Sequence, residues 1–220
     1  MKAFVAGATG QTGRRIVQEL VKRNIPVRAL VRNLEKGREI LPPEAELVVG
    51  DVLKPEGLGA AIADCTVLLC ATGATPTLFD PTGPYKVDYE GTKNLVDVAK
   101  AKGLEHFVLV SSLAVSQILF PLNLAWGILW WKKQAEEHLQ KSGLTYTIVR
   151  PGGLRNEDNP DPIVMSSADT LFSGSIPRTK VAQVSVEALS QPEARNKIVE
   201  VIAKADASDK SWDQLFAGVI

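Results

Sequence analysis

The sequence predicts an α/β fold, a doubly wound parallel sheet with helices on both faces, on three observations. Short apolar runs alternate with helix-period segments from the first residues onward, a glycine-rich turn separates the first run from the first helix, and the runs are apolar without alternation. Strands covered on one face alternate apolar and polar residues; strands covered on both read as continuous apolar runs, as parallel sheets between helical layers require. Strand–helix alternation of this kind implies right-handed βαβ units.

Taken in order, Lys2–Ala6 is the first strand and Thr12–Arg23 the first helix, with Ile16, Leu20 and Val21 at helical spacing. Asn24 and Pro26 end that helix, and Val27–Val31 reads as the second strand. Glu46–Gly50, Thr66–Cys70, His106–Ser111 and Thr145–Arg150 are the third to sixth strands, and helices are expected near Pro55–Ala63, Tyr85–Lys102 and Leu124–Ser142. From Pro151 the pattern loosens into an Asn/Asp/Pro-rich loop (Asn156–Pro162), a helix from about Thr179 to Ser190, a strand at Lys197–Ala203 and a closing helix. With no repeat or linker in sight, residues 1–220 read as one domain with a small C-terminal lobe over about 151–220.

Composition narrows the function classes. The chain has 220 residues, 45% hydrophobic and 23% charged, which suits a soluble globular domain with a sizeable core. Lys+Arg and Asp+Glu balance at 25 each, so no global field draws nucleic acid or acidic lipid, and any positive site must be local. Cys65 and Cys70 are not spaced as CxxC and have no His–Cys cluster nearby, so they read as core packing and no metal site is expected. The opening MKAFVAGATG runs straight into a strand and a turn, unlike a secretory signal, so a reducing, cytoplasmic location is expected.

The strongest motif is GATGQTG, in which Gly7, Gly10 and Gly13 close a strand and open a helix, with Ala8, Thr9, Gln11 and Thr12 between them. Gly7 permits the tight turn, Gly10 lets a pyrophosphate approach the backbone, and Gly13 allows the helix to pack closely on the strand. Free N–H groups at the helix start face the phosphates, which makes this a dinucleotide-binding, Rossmann-type turn. The end of the second strand separates the two nicotinamide cofactors. An NAD site carries an acidic residue there for the ribose hydroxyls, whereas this strand ends ALVRN, with Arg32 at that point and no carboxylate before Glu35. Arg32 suits a 2′-phosphate, so NADP(H) is expected in preference to NAD(H), with Arg14, Lys36 and Arg38 as further cations. Asp51, followed by Val52, is suited to accept from an adenine amino group or to cap a short helix. Ala71, Thr72 and Gly73 follow the fourth strand, where small residues leave room for the cofactor.

These stretches, together with VDYEGTKNLVDVAK (Val87–Lys100), VLVSS (Val108–Ser112) and SGLTYTIVRPGG (Ser142–Gly153), resemble the atypical short-chain dehydrogenase/reductases of the NmrA-like kind over nearly the whole chain. DPTGPYKVDYEGTKNLVD, AWGILWWKKQAEEHL and YTIVRPGGL further resemble the reductase-like domain of the redox-sensing subunit of the chloroplast inner-envelope translocon and its cyanobacterial and plant relatives, which adds a plastid-stroma-like location to the expectation. The resemblance implies a serine after the fifth strand at Ser112, with Ser111 beside it, and a lysine that holds the nicotinamide ribose at Lys132, with Lys133 a one-residue slip away. It implies that Arg150, Pro151, Gly152 and Gly153 lie against the nicotinamide with their backbone groups facing the carboxamide. It also implies a catalytic tyrosine four residues before the lysine, and there this chain has Ile128.

Without that phenol, ketone reduction of the usual kind loses a general acid worth roughly a hundred- to ten-thousand-fold. Hydride transfer is the cofactor's own chemistry, so an acceptor protonated by water remains open, such as a flavin, a quinone or a linear tetrapyrrole. Residues 113–131 carry no charge and end in Trp130 and Trp131 before two lysines. Pro121 and Asn123 interrupt them, so they read either as a pocket wall with a buried helix or as an apolar surface for a partner protein or a membrane. His106 and His138 read as non-catalytic. Two functions fit: an NADPH-dependent reductase of a planar conjugated acceptor, with Ser112 and Lys132 at its centre, or a non-catalytic NADP(H)-binding sensor or scaffold.

Overall fold

A computed structural model describes residues 1–74, 83–117 and 127–220. The six expected strands are β1 (Ala3–Ala6), β2 (Val27–Val31), β3 (Glu46–Val49), β4 (Val67–Cys70), β5 (His106–Val110) and β6 (Tyr146–Pro151). They lie side by side and parallel in the order β3-β2-β1-β4-β5-β6. The direction of winding reverses between β1 and β4, which opens a crevice at the carboxyl ends of those two strands, where doubly wound sheets bind ligands.

The continuous apolar runs serve two cores at once. In β1, Ala3 and Val5 pack on one side of the sheet while Phe4 and Ala6 pack on the other; Val67 and Leu69 of β4 oppose Leu68 and Cys70 in the same way. The first side is covered by α1 (Gly13–Lys22) through Ile16, Val17 and Leu20. The second is covered by α3 (Pro55–Ile62) and α4 (Thr92–Ala101) through Leu58, Ile62, Leu95 and Val96. Both cysteines are free and buried, as core packing predicts.

Several elements differ from the sequence reading. A seven-residue helix, α2 (Leu34–Ile40), follows β2 and starts where the Asn33 side chain accepts the Lys36 N–H at 2.8 Å. Gly37 is its one buried residue, so it carries no apolar stripe to read. The helix expected over 85–102 is two elements, a π-helix (Pro84–Gly91) leading into α4. Next comes α5 (Ile128–Lys141); the expected start at Leu124, like Trp126 and the centre of the uncharged stretch, falls outside the described residues. The described ends of that stretch are mixed: Leu113, Ala114, Val115 and Leu129 are buried, Trp131 packs edge-on against Tyr85 with ring centroids 4.7 Å apart, and Trp130 is 46% exposed.

The C-terminal segment contains three short strands that have no sequence signature, β7 (Gly153–Arg155), β8 (Ile163–Ser167) and β9 (Ser175–Pro177), and then β10 (Lys197–Ala203). β10 joins the main sheet parallel to β6 and pairs antiparallel with β8 and β9. On the α1 side lie α6 (Arg178–Glu187), which contributes Val181 and Val184, and α7 (Trp212–Ala217), which contributes Phe216.

Candidate functional site: a dinucleotide cleft with an ion-paired lysine

The crevice at the switch point is a cleft of about 460 Å³, within the range of small-molecule sites. Nine of the residues singled out in the sequence line it: Gly7, Thr9, Gly10, Arg32, Asp51, Val52, Ala71, Thr72 and Gly73. Gly7 has φ +76°, and a Cβ on it would stand 2.6 Å from the Ala71 carbonyl carbon, so β1 and β4 leave room there for glycine alone. A Cβ on Gly13 would stand 2.1 Å from the Gly7 oxygen, the close approach of α1 to β1 that the third glycine was read to permit. The Gly10 N–H donates to the Gly7 carbonyl at 3.0 Å, which closes the turn. Ala8 is buried beneath the loop and Gln11 is exposed at its tip, with Thr12 half-buried behind.

Arg32 stands exposed at the end of β2 on the cleft wall, in no hydrogen bond or ion pair with another described residue. Asp51 lines the cleft, and its Oδ1 accepts the Leu53 N–H at 3.0 Å in the turn before α3; the N-cap of that helix is Lys54, so Asp51 does not cap it.

Deeper, behind Thr72, a niche about the size of one water is lined by Thr72, Asp88, Thr92, Ser111, Lys132 and Ala135, among others. Lys132 reaches it from the second turn of α5 and pairs with Asp88 Oδ1 at 2.7 Å. Asp88 is 3% exposed, and its Oδ2 accepts the Ala74 N–H at 3.1 Å. Burial works against the Lys132 charge, but attraction to and hydrogen bonding with Asp88 prevail, and its pKa is raised. Lys132 is therefore an ammonium throughout the physiological range. The Ser111 hydroxyl is buried with no hydrogen-bond partner among the described residues and faces the niche. Ser112 is half-buried and is not among the lining residues, which moves the niche hydroxyl one residue back from the position the resemblance implied. Asp88 was missed. It lies inside the VDYEGTKNLVDVAK stretch, and only the π-helical turn that carries it reveals that it faces Lys132.

The Arg150 side chain is not among the residues that line the cleft. It is fully buried and turned away from the cleft into a carboxylate cluster, with Glu136 at 2.7 and 3.0 Å, Asp169 at 2.8 Å and Glu200 at 3.3 Å. Only its backbone is left for the role expected of it. Pro151 and Gly152 are buried behind it and Gly153 is exposed at the start of β7; none of the four lines the cleft. The histidines are structural: His106 bonds Thr147 at 2.9 Å and His138 bonds Asp97 at 2.7 Å. Among the described residues no His/Cys/Asp/Glu group is arranged to hold a metal, and no helix is long and apolar enough to cross a membrane.

A glycine turn at the switch point of a doubly wound sheet, with a charged lysine at the inner end of its cleft, defines a dinucleotide-binding protein of the short-chain dehydrogenase/reductase type. The chain belongs to the NAD(P)H-binding family, whose model matches residues 7–192. It is 48% identical to a chloroplastic protein of Arabidopsis thaliana over 99% of this chain and 82% of that one. It is 39% identical to Protein TIC 62, chloroplastic, of Pisum sativum over 93% of this chain, but spans only 43% of that protein's length. It is 30% identical to sanguinarine reductase of Eschscholzia californica, over all of this chain and 96% of that enzyme. Among solved structures, an NAD-dependent epimerase/dehydratase-type protein from Bacillus halodurans superposes with a TM-score of 0.87 at 28% identity, over 99% of both chains. The resemblance to the atypical reductases and to the translocon subunit is thereby borne out.

Proposed function

We propose that the protein is an NADPH-dependent oxidoreductase that delivers hydride to a planar conjugated acceptor, of the flavin, quinone or tetrapyrrole-like class, in a plastid-stroma-like or cytoplasmic compartment. One observation carries this reading: a cleft with an unpaired Arg32 at its adenosine end opens inward onto a niche where Lys132 is held charged beside a free Ser111 hydroxyl. A protein that only sensed the adenosine half would have no use for that inner end. The similarity to sanguinarine reductase supports the reductase class.

Bound here, the cofactor would supply the hydride. The turn Gly7–Gly13 would receive the pyrophosphate on its N–H groups, Arg32 the 2′-phosphate, and Asp51 the adenine amino group. Lys132, fixed by Asp88, would donate to the nicotinamide ribose, and the backbone of Arg150–Gly153 would face the carboxamide. The Ser111 hydroxyl, rather than that of Ser112, would orient an acceptor oxygen. Position 128 carries no phenol, so the proton comes from solvent, and simple ketones are poor substrates.

The test is NADPH oxidation against flavin, quinone, biliverdin and simple ketones, with NADH as comparison and Gly10→Trp as the blocked control. Turnover with a planar acceptor, absent in Gly10→Trp, supports the reading. Arg32→Ala is expected to weaken NADPH binding by about ten- to a hundred-fold and leave NADH binding unchanged, since it removes one charge-assisted contact of roughly 1.5–3 kcal/mol. Tight NADPH binding without turnover on any acceptor would sink the enzyme reading. It would favour a second one, suggested by Ile128: a sensor or scaffold whose NADP(H) occupancy alters its contact with a partner protein or a membrane surface.

A further inference from the structure

The buried and half-buried arginines of this chain fall into two groups. Arg23, Arg28 and Arg150 are each paired with at least two carboxylates. Arg14, Arg15 and Arg178 gather in one place and pair with none among the described residues. Arg14 Nη2 donates to Gln11 Oε1 at 2.6 Å, and Arg15 Nη1 donates to the same oxygen at 3.2 Å and to the Gln11 carbonyl at 2.7 Å. Arg15 Nη2 also reaches the Asn156 carbonyl at 3.3 Å, while Arg178 Nη1 donates to Asn156 Oδ1 at 3.0 Å and to the Leu154 carbonyl at 3.3 Å. Every acceptor is neutral.

Two further features make this more than a run of surface charge. The Arg178 Nε is buried with no acceptor among the described residues, an unsatisfied donor within the cluster. The first turns of two ten-residue helices, α1 and α6, meet at the cluster, and each brings the positive end of its dipole. Burial, and then the nearness of Arg15 and Arg14, lower the Arg178 pKa, as expected of a cation held among cations.

We propose that Arg14, Arg15 and Arg178, framed by Gln11 and Asn156, form an oxyanion subsite separate from the Arg32 position and selective for phosphate or carboxylate. Planar guanidinium donors suit the paired oxygens of either group, and an anion supplies the missing counter-charge. The subsite adjoins the glycine turn on one side and the segment after β7 on the other. Its anion is therefore either the pyrophosphate of the dinucleotide or an acidic group on the hydride acceptor. The choice between these sources rests on the function proposed above; the existence of the subsite does not.

The experiment compares the wild type with Arg15→Ala/Arg178→Ala and with Arg178→Gln, which keeps a donor for Leu154 and Asn156 but removes the charge. Thermal unfolding and near-ultraviolet circular dichroism select the variants that fold. Calorimetry with inorganic pyrophosphate is expected to show at least ten-fold weaker binding in the variants, with a wild-type affinity that falls steeply with salt. A matching loss for NADPH assigns the anion to the cofactor. Unchanged NADPH affinity with weaker binding of biliverdin, but not of its dimethyl ester, assigns it to the acceptor's carboxylate. Equal affinities for pyrophosphate, NADPH and biliverdin in the wild type and a folded variant overturn the subsite. A wild type that binds no NADPH defeats the dinucleotide reading, and the pyrophosphate comparison still decides the subsite.

Discussion

His106, read as non-catalytic, shows how burial sets the properties of a single side chain. It is 4% exposed in β5, and the Thr147 hydroxyl donates to the Ala194 carbonyl at 2.7 Å, so Thr147 must accept from the imidazole Nε2–H. Burial, with Arg195 adding to it, pushes its pKa down to about 4. Between pH 6.5 and 4 the unfolded chain takes up a proton there that the folded chain does not. Stability is therefore full above pH 6.5, falls as pH drops toward 4, and loses up to about 3 kcal/mol over that window. Urea unfolding from pH 7 to pH 4.5 should show that slope, and His106→Gln should flatten it; equal slopes in both proteins would mean that the imidazole titrates normally. Arg32, in contrast, was legible from sequence because its position at the end of β2 is set by the strand alone.

Among elements, α5 joins the niche to a buried ion cluster. Its second turn places Lys132 against Asp88, and one turn further on Glu136 is gripped by Arg150 of β6. Glu200 of β10 joins the same guanidinium and also accepts the N–H groups of Asp169, Thr170 and Leu171, so one buried cluster ties helix, sheet and loop together. Removing its cation strands two buried carboxylates. Arg150→Met is expected to cost about 3–5 kcal/mol in denaturant unfolding. The double variant Arg150→Met/Glu136→Met should recover part of that loss, because the pair rather than either residue fits the site. Additive losses would show that the two residues do not act as a pair. The sequence did not reveal this cluster: the resemblance set RPGG against the nicotinamide by its backbone, and nothing in the segment shows which way the arginine side chain turns.

At the scale of the molecule, the cleft lies where two halves of one sheet diverge, so ligand binding is coupled to the folded state of both. A dinucleotide that binds only the folded chain should raise its stability by about 2.7 kcal/mol at a hundred times the dissociation constant. Thermal unfolding with and without NADPH measures this, with Gly10→Trp expected to show no shift. A full shift in that variant would place the dinucleotide elsewhere. The C-terminal segment takes part as well, since β10 lies directly against β6.

The position of Lys132 was implied by the family resemblance; what the sequence by itself determined is whatever local chemistry dictates: the strand–helix alternation, the glycine turn and the cation at the end of β2. Each depends on residues a few places apart, whose spacing is the signal. Only the tertiary structure decided the rest. Three- to five-residue strands such as β7, β8 and β9 take their form from pairing partners distant in sequence. The inward turn of Asp88, the carboxylates around Arg150 and the choice of Ser111 over Ser112 depend on which side chains burial brings together. An isolated Asp, Arg or Ser carries no periodic pattern, and its partner is fixed only when distant segments meet in the core.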